Sequence, residues 1–278
     1  MVPMSAFDHE QLARALLPAV LEAGAVEMRH YGEGVAVETK ADASPVTAAD
    51  REAEAVLLTA LARIAPGIPV VAEEAVSQGT IPVVSTSFFL VDPLDGTREF
   101  INRRGEFTVN VGLIDHGRPV FGMVYAPALS ELYATLGPAR AVFARIVPSS
   151  AGRDLAAHGC ADIRTRIPDP MALTAIASRS HLTPETEQFL MRYRVADRRN
   201  AGSSLKFCLL ARGEADIYPR LGPTMEWDTA AGHAVLAAAG GSVTAPDGAP
   251  FTYGKAANGF RNPHFVAWGT GRPIAAAV

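Results

Sequence analysis

The sequence predicts a mixed α/β fold, α+β in its first half and α/β in its second. Three observations predict it. Two amphipathic helical patterns open the chain, and clustered strand patterns follow them. From Leu173 onward, strand and helix patterns alternate. The chain has 278 residues, 49% of them hydrophobic, which suffices for a core without disulfide or metal staples.

The elements follow in order. Residues 8–31 read as a helix with Leu12, Leu16, Val20 and Ala23 on one stripe. Pro18 marks either a kink in it or its true first turn. A second helix follows Thr47, where Ala53, Val56, Leu57, Ala60, Leu61 and Ile64 recur at helical spacing. Thr47 and Asp50 stand where a capping box needs them, and Pro66-Gly67 ends the helix. Ile68–Ala72 and Phe88–Val91 are short apolar strands, and Val109–Ile114 and Val120–Tyr125 flank a Gly-containing loop as a hairpin. Residues 137–170 lack periodicity and hold the expected domain junction, dividing the chain into 1–145 and 146–278. Beyond it, Leu173–Ala177 and Ala215–Tyr218 read as strands. Pro184–Tyr193, Ser203–Arg212 and Asp228–Ala239 read as helices, the last two closed by Gly213 and Gly240-Gly241.

Composition excludes several function classes. Lys+Arg 25 against Asp+Glu 29 gives a net charge of −4, without the basic excess of a nucleic-acid binder. Charged residues are only 19%, which with the apolar content argues against disorder. Cys160 and Cys208 are too few for a disulfide framework or a zinc set, so a reducing cytoplasmic compartment is expected. The N-terminus lacks the basic region of a signal peptide, and no apolar run is long enough to span a membrane.

The chemistry concentrates in acids. DPLDGT (Asp92 to Thr97) follows the strand Phe88–Val91 directly. Pro93 and Gly96 build a tight turn on which Asp92 and Asp95 can converge, with the Leu94 carbonyl as a further hard oxygen ligand suited to Mg²⁺. Alone, such a stretch is a common surface turn. Glu73-Glu74 ends the other early strand, Asp228 starts the last helix and Asp50 starts the second. Each has an ordinary explanation as a solvated loop or a helix cap. Together they stand at strand ends and helix starts, where α/β folds place chemistry. Packed carboxylates repel unless cations bind. The pattern therefore predicts metal-assisted phosphate ester hydrolysis, with Thr97 orienting a water and the Gly96 and Thr97 N–H groups holding a phosphate oxygen. An aspartyl-phosphate mechanism is set aside, because D-x-x-D-G-T is one residue longer than the D-x-D-G-T such enzymes use.

The stretches SPVTAAD (Ser44–Asp50), AEE (Ala72–Glu74), LVDPLDGTREF (Leu90–Phe100) and WDTAAG (Trp227–Gly232) resemble the inositol monophosphatase superfamily of Mg²⁺-dependent, lithium-sensitive phosphatases. EFTVNVGLIDHGRPVFGMVYAP, SRSH and GSSLKFCLLARGEADIYPRLGPT are similar to its bacterial 3′(2′),5′-bisphosphate nucleotidases, which act in sulfate assimilation. The resemblance implies a five-layer αβαβα sandwich. It implies Glu73, Asp92, Asp95, Asp228 and the Leu94 carbonyl as ligands of two or three Mg²⁺ ions, most of them from the first domain and Asp228 from the second. Glu73, Asp50 and Thr97 would be catalytic, with Asp50 supporting Thr97 as it activates water. Gly96 and Thr97 would contact the scissile phosphate, and His181, Ser203, Lys206 and Arg220 would line a nucleotide groove in the second domain. A lone His is more often a loop residue, and Lys206 and Arg220 have readings as surface charges. The implied partner is a small phosphorylated nucleotide, and the implied location is the cytoplasm, with peripheral association at the inner face of the inner membrane as a variant. An inositol- or sugar-phosphate phosphatase with the same metal site is the alternative enzyme. A silent metal- or nucleotide-binding sensor is the alternative of another class. The oligomeric state stays open.

Overall fold

Successive side chains of the long central strand face opposite ways, and that alternation organises the molecule. In the computed structural model, which describes residues 8–33, 37–39, 45–148, 155–178 and 183–271, β4 (Ser87–Asp95) sends Phe88 and Leu90 into one hydrophobic core and Phe89 and Val91 into another.

The second of these cores is covered by two packed helices. α1 (His9–Glu33) opens with Asp8 Oδ1 accepting from the Glu10 and Gln11 N–H groups. It runs unbroken through Pro18, so Pro18 is not its first turn. Its Leu12, Leu16, Val20 and Ala23 stripe is buried as expected. A small ribbon of β1 (Val37–Thr39) and β2 (Pro45–Thr47) leads into α2 (Ala48–Ile64), whose capping box of Thr47 and Asp50 forms.

The seven-stranded sheet has the order β3-β4-β5-β6-β7-β8-β9. β3 (Val70–Ala72) is parallel to β4, and the rest is an antiparallel meander. Its members are β5 (Thr108–Asp115), β6 (Arg118–Ala126), β7 (Glu131–Gly137), β8 (Arg140–Arg145) and β9 (Ala161–Ile163). The expected hairpin is β5–β6, with a tighter turn at His116-Gly117 than the sequence suggested. The stretch that lacked periodicity contains β8 and β9, and the division at residues 145 and 146 falls between these two paired strands. Between β3 and β4 lies the short α3 (Glu73–Ser77), and after β4 lies α4 (Thr97–Ile101).

The other face of this sheet packs on α6 (Leu205–Ala211) and α7 (Trp227–Ala238). These helices are covered on their far side by a five-stranded sheet of order β11-β10-β12-β14-β13. Its strands are β10 (Leu173–Ser178), β11 (Val195–Ala201), β12 (Ile217–Arg220), β13 (Ser242–Thr244) and β14 (Phe265–Trp268). α5 (Pro184–Leu190, shorter than expected) closes its outer face through Phe189 and Leu190 against Leu173, Ile217 and Trp268. Helix pair, sheet, helix pair, sheet and helix make the five-layer αβαβα sandwich. Among the described residues no helix is long and apolar enough to cross a membrane.

Candidate active site

The turn after β4 is built from its own sequence. The β4–β5 register shifts between Asp92 and Asp95, so β4 carries an extra residue there. Such a bulge bends the strand and re-aims its side chains. Asp92 Oδ1 accepts from the Leu94 N–H at 3.0 Å, an Asx turn over Pro93. Gly96 has φ +94°, and a Cβ on it would lie 3.1 Å from the Glu106 carbonyl oxygen, so the position demands glycine twice over.

Three elements bring carboxylates to one point. Glu73 is the first residue of α3, Asp92 lies in β4 and Asp228 is the second residue of α7. One oxygen from each lies within 4.8 Å of the others. Asp228 Oδ2 also accepts from the Met225 N–H at 2.8 Å, which fixes its rotamer over the helix start. Asp95 lines the same cavity but stands beside this trio. Its Oδ2 accepts from Ser203 Oγ at 2.7 Å and from Asn110 Nδ2 at 3.3 Å. Burial, then the charges of Asp95 and Glu73, push the Asp228 carboxyl well above the usual carboxylate range. Burial also raises Asp95, against the nearby Lys206 ammonium. Crowded, half-dry carboxylates of this kind are a donor set for a hard divalent cation, whose charge offsets their repulsion.

Behind the turn stands Asp50. Its Oδ2 accepts from the Thr47 N–H at 2.7 Å and the Thr47 hydroxyl at 2.6 Å. Its Oδ1 lies 3.4 Å from Thr97 Oγ1, which is also 3.3 Å from the Leu94 carbonyl. Asp50 therefore completes the capping box of α2 with one oxygen and faces the Thr97 hydroxyl with the other.

The cavity holds about 330 Å³ and is lined by both the acids and the cations Lys206 and Arg220. Lys206 is buried there, not solvated. Its Nζ donates to the Ser203 carbonyl at 2.6 Å and sits 5.6 Å from the centre of the Tyr218 ring. Burial pushes it down to about 8, with Asp95 opposing. Arg220 is 7% exposed, so it is no surface charge either. Its Nη2 donates to the Pro223 carbonyl at 2.7 Å, while its buried Nε has no partner. Ser203 lines the cavity with its hydroxyl committed to Asp95. His181 lies outside the described residues. Glu74 is buried beside Glu73 and does not line the cavity.

Sequence reasoning missed four residues. Arg98 and Arg261 line the cavity from its exposed rim. Arg98 directly follows Thr97 in the sequence, which is the signal that marks it, whereas Arg261 arrives through an isolated bridge with Met225 that no local pattern announces. Asn110 joins Asp95 to Ser204 Oγ, which in turn donates to the Asp228 carbonyl at 2.8 Å. Glu54 accepts from the Glu74 and Ala75 N–H groups.

The profile of the inositol monophosphatase family matches residues 8–266. The chain is 43% identical over 231 residues to the 3′(2′),5′-bisphosphate nucleotidase CysQ of Shigella flexneri, covering 82% of this chain and 87% of that one. To the enzyme of the same name from Escherichia coli K12 it is 42% identical over 229 residues, with the same coverage. Among solved structures it is similar to CysQ from Bacteroides thetaiotaomicron, with a TM-score of 0.78 and 35% identity over 96% of this chain and 100% of that one. The inositol monophosphatase of Thermotoga maritima shares the fold, with a TM-score of 0.70 and 24% identity over 90% and 89% of the two chains.

Proposed function

The chain belongs to the inositol monophosphatase family, and from that premise we propose that it is a Mg²⁺-dependent 3′(2′),5′-bisphosphate nucleotidase. It removes the 3′-phosphate of adenosine 3′,5′-bisphosphate, leaving AMP and inorganic phosphate. The observation that carries this reading is the meeting, in one cavity, of an acidic cluster with two buried cations. A single phosphate on a metal site has no need of the second feature. A substrate with two phosphates does, and Lys206 and Arg220 supply it, with a free Nε on the latter. The names of the relatives at 42–43% identity support the same substrate class. Both cysteines are free thiols, in keeping with a cytoplasmic enzyme.

Glu73, Asp92, Asp95, Asp228 and the Leu94 carbonyl are the groups that would hold the ions, two or three of them. Bound Mg²⁺ would neutralise phosphate oxygens and lower the pKa of the attacking water. The chain's own residues do the rest. The Thr97 hydroxyl has one proton to give. Directed at Asp50 Oδ1, it leaves its oxygen lone pairs free to accept from that water and orient it. Asp50 is held for this by its two bonds from Thr47. Gly96 and Thr97 line the cavity, where their backbone N–H groups can bind the scissile phosphate. No side chain attacks phosphorus, so no phosphoenzyme forms.

A phosphate-release panel tests this. It compares adenosine 3′,5′-bisphosphate, inositol 1-phosphate, fructose 1,6-bisphosphate and histidinol phosphate, with and without Mg²⁺ and Li⁺. The bisphosphate nucleotide is expected to be the best substrate, Mg²⁺ to be required and Li⁺ to inhibit. Preference for a single-phosphate substrate would assign the cavity to an inositol or sugar phosphate instead. Nucleotide binding without phosphate release would make the protein a sensor.

A further inference from the structure

We propose that Glu54 is a positioning residue for the acidic cluster, acting as the N-terminal cap of α3 from a different helix. The inference rests on the reading of that cluster as a metal site. α3 begins at Glu73 with no loop between it and β3. The residue at its N-cap position is Ala72, in extended geometry (φ −118°, ψ 142°), and its methyl group caps nothing. The first N–H groups of a helix have no acceptor within the helix and need one from elsewhere. Glu54 supplies it from α2. Its Oε2 accepts from the Glu74 N–H at 2.8 Å and its Oε1 from the Ala75 N–H at 2.9 Å. Glu54 is 6% exposed, and its bond from the Glu74 N–H is buried.

This geometry reaches the site through one residue. Glu73 precedes the two capped N–H groups, and its carboxylate is one corner of the trio with Asp92 and Asp228. The carboxylate of Glu54 does not line the cavity. It acts on Glu73 by fixing the first turn from which that side chain springs. Asp50, one turn earlier on α2, lies on the same face at helical spacing. A single face of α2 thus sets Thr97 through Asp50 and Glu73 through Glu54. Groups that orient a ligand in this way typically shift metal affinity 10–100-fold when removed.

The test is calorimetric titration with Mg²⁺ alone, without substrate, on wild type, Glu54→Ala and the double variant Glu54→Ala/Ala72→Ser. Glu54→Ala is expected to weaken Mg²⁺ binding about tenfold. Ala72→Ser places a hydroxyl at the N-cap position itself, where serine is a preferred cap. It is expected to recover most of that loss, which a purely local packing role for Glu54 would not predict. Glu54→Gln covers the case in which the alanine variant does not fold. It keeps the shape of the side chain but only one acceptor, and should weaken Mg²⁺ binding with an unchanged circular dichroism spectrum. Folded Glu54→Ala or Glu54→Gln that binds Mg²⁺ like wild type overturns the proposal, as does a loss that Ala72→Ser leaves untouched. Wild-type protein that binds no Mg²⁺ overturns the metal reading itself.

Discussion

Asp95 is where the two halves of the site touch. It shares the cavity with Asp92 on its own turn, and it accepts from Ser203 just before α6. Asp95→Asn removes a charge while keeping the shape of the side chain. It should lose at least about a hundredfold in turnover at saturating Mg²⁺ with an unchanged circular dichroism spectrum; near-normal turnover would remove Asp95 from the ligand set. His233 answers to pH through stability instead. It is buried, with Nδ1 3.0 Å from the Tyr253 hydroxyl, and burial pushes its pKa down to about 3. The unfolded chain takes up that proton near pH 6.5, whereas the folded chain stays neutral. The stability this protects is present above pH 6.5 and is lost as pH falls towards 3, by about 1.4 kcal/mol per unit. Urea denaturation at pH 7 and pH 5 should show wild type losing about 2 kcal/mol relative to His233→Gln, which has no such proton to bind. The acids of the site were legible in the sequence because each stands at a strand end or a helix start. Glu54 and Asn110 were not, because their partners are backbone and side-chain groups far along the chain.

Among the elements, α7 depends on how closely it lies on the larger sheet. Gly112 and Gly122 face each other across β5 and β6, under Ala230 and Ala231. A Cβ on Gly112 would stand 2.8 Å from the Ala230 Cβ, and one on Gly122 would overlap the Ala231 carbonyl. Gly122→Ala should therefore cost about 3 kcal/mol, the upper end for overpacking, measured by chemical denaturation. An unchanged midpoint would mean that α7 can lift off the sheet at no cost. Three of the strands that escaped sequence reading did so for two physical reasons. Leu132, Tyr133 and Ala134 of β7 and all of β14 are buried, so neither strand alternates between apolar and polar. β11 is an edge strand whose middle residues are exposed, so its VADRRNA run reads as loop. The helices were easier, because a single buried stripe against a polar face is what α1 and α2 present.

For the molecule as a whole, the five layers decide where the site can be. Glu73, Asp92 and Asp95 come from the larger sheet and the helix beside it, while Asp228 comes from the helix between the two sheets. A cation held by both is a staple across the sandwich, so binding should stabilise the fold by linkage. At a hundredfold excess over Kd the gain is about 2.7 kcal/mol. Mg²⁺ should raise Tm, EDTA should reverse the rise, and Asp228→Asn should largely abolish it; a Tm indifferent to Mg²⁺ in wild type would place the ion elsewhere or nowhere. The net charge of −4 fits this picture, since the chain is close to neutral once Asp50, Glu73, Asp92, Asp95 and Asp228 are set aside. The measurement that bears most directly on the proposed activity is phosphorus NMR of adenosine 3′,5′-bisphosphate incubated with the protein and Mg²⁺. The 3′-phosphate resonance should disappear, the 5′ resonance should remain, and one equivalent of inorganic phosphate should appear. A spectrum in which both resonances persist, while inositol 1-phosphate is consumed under the same conditions, would contradict the account.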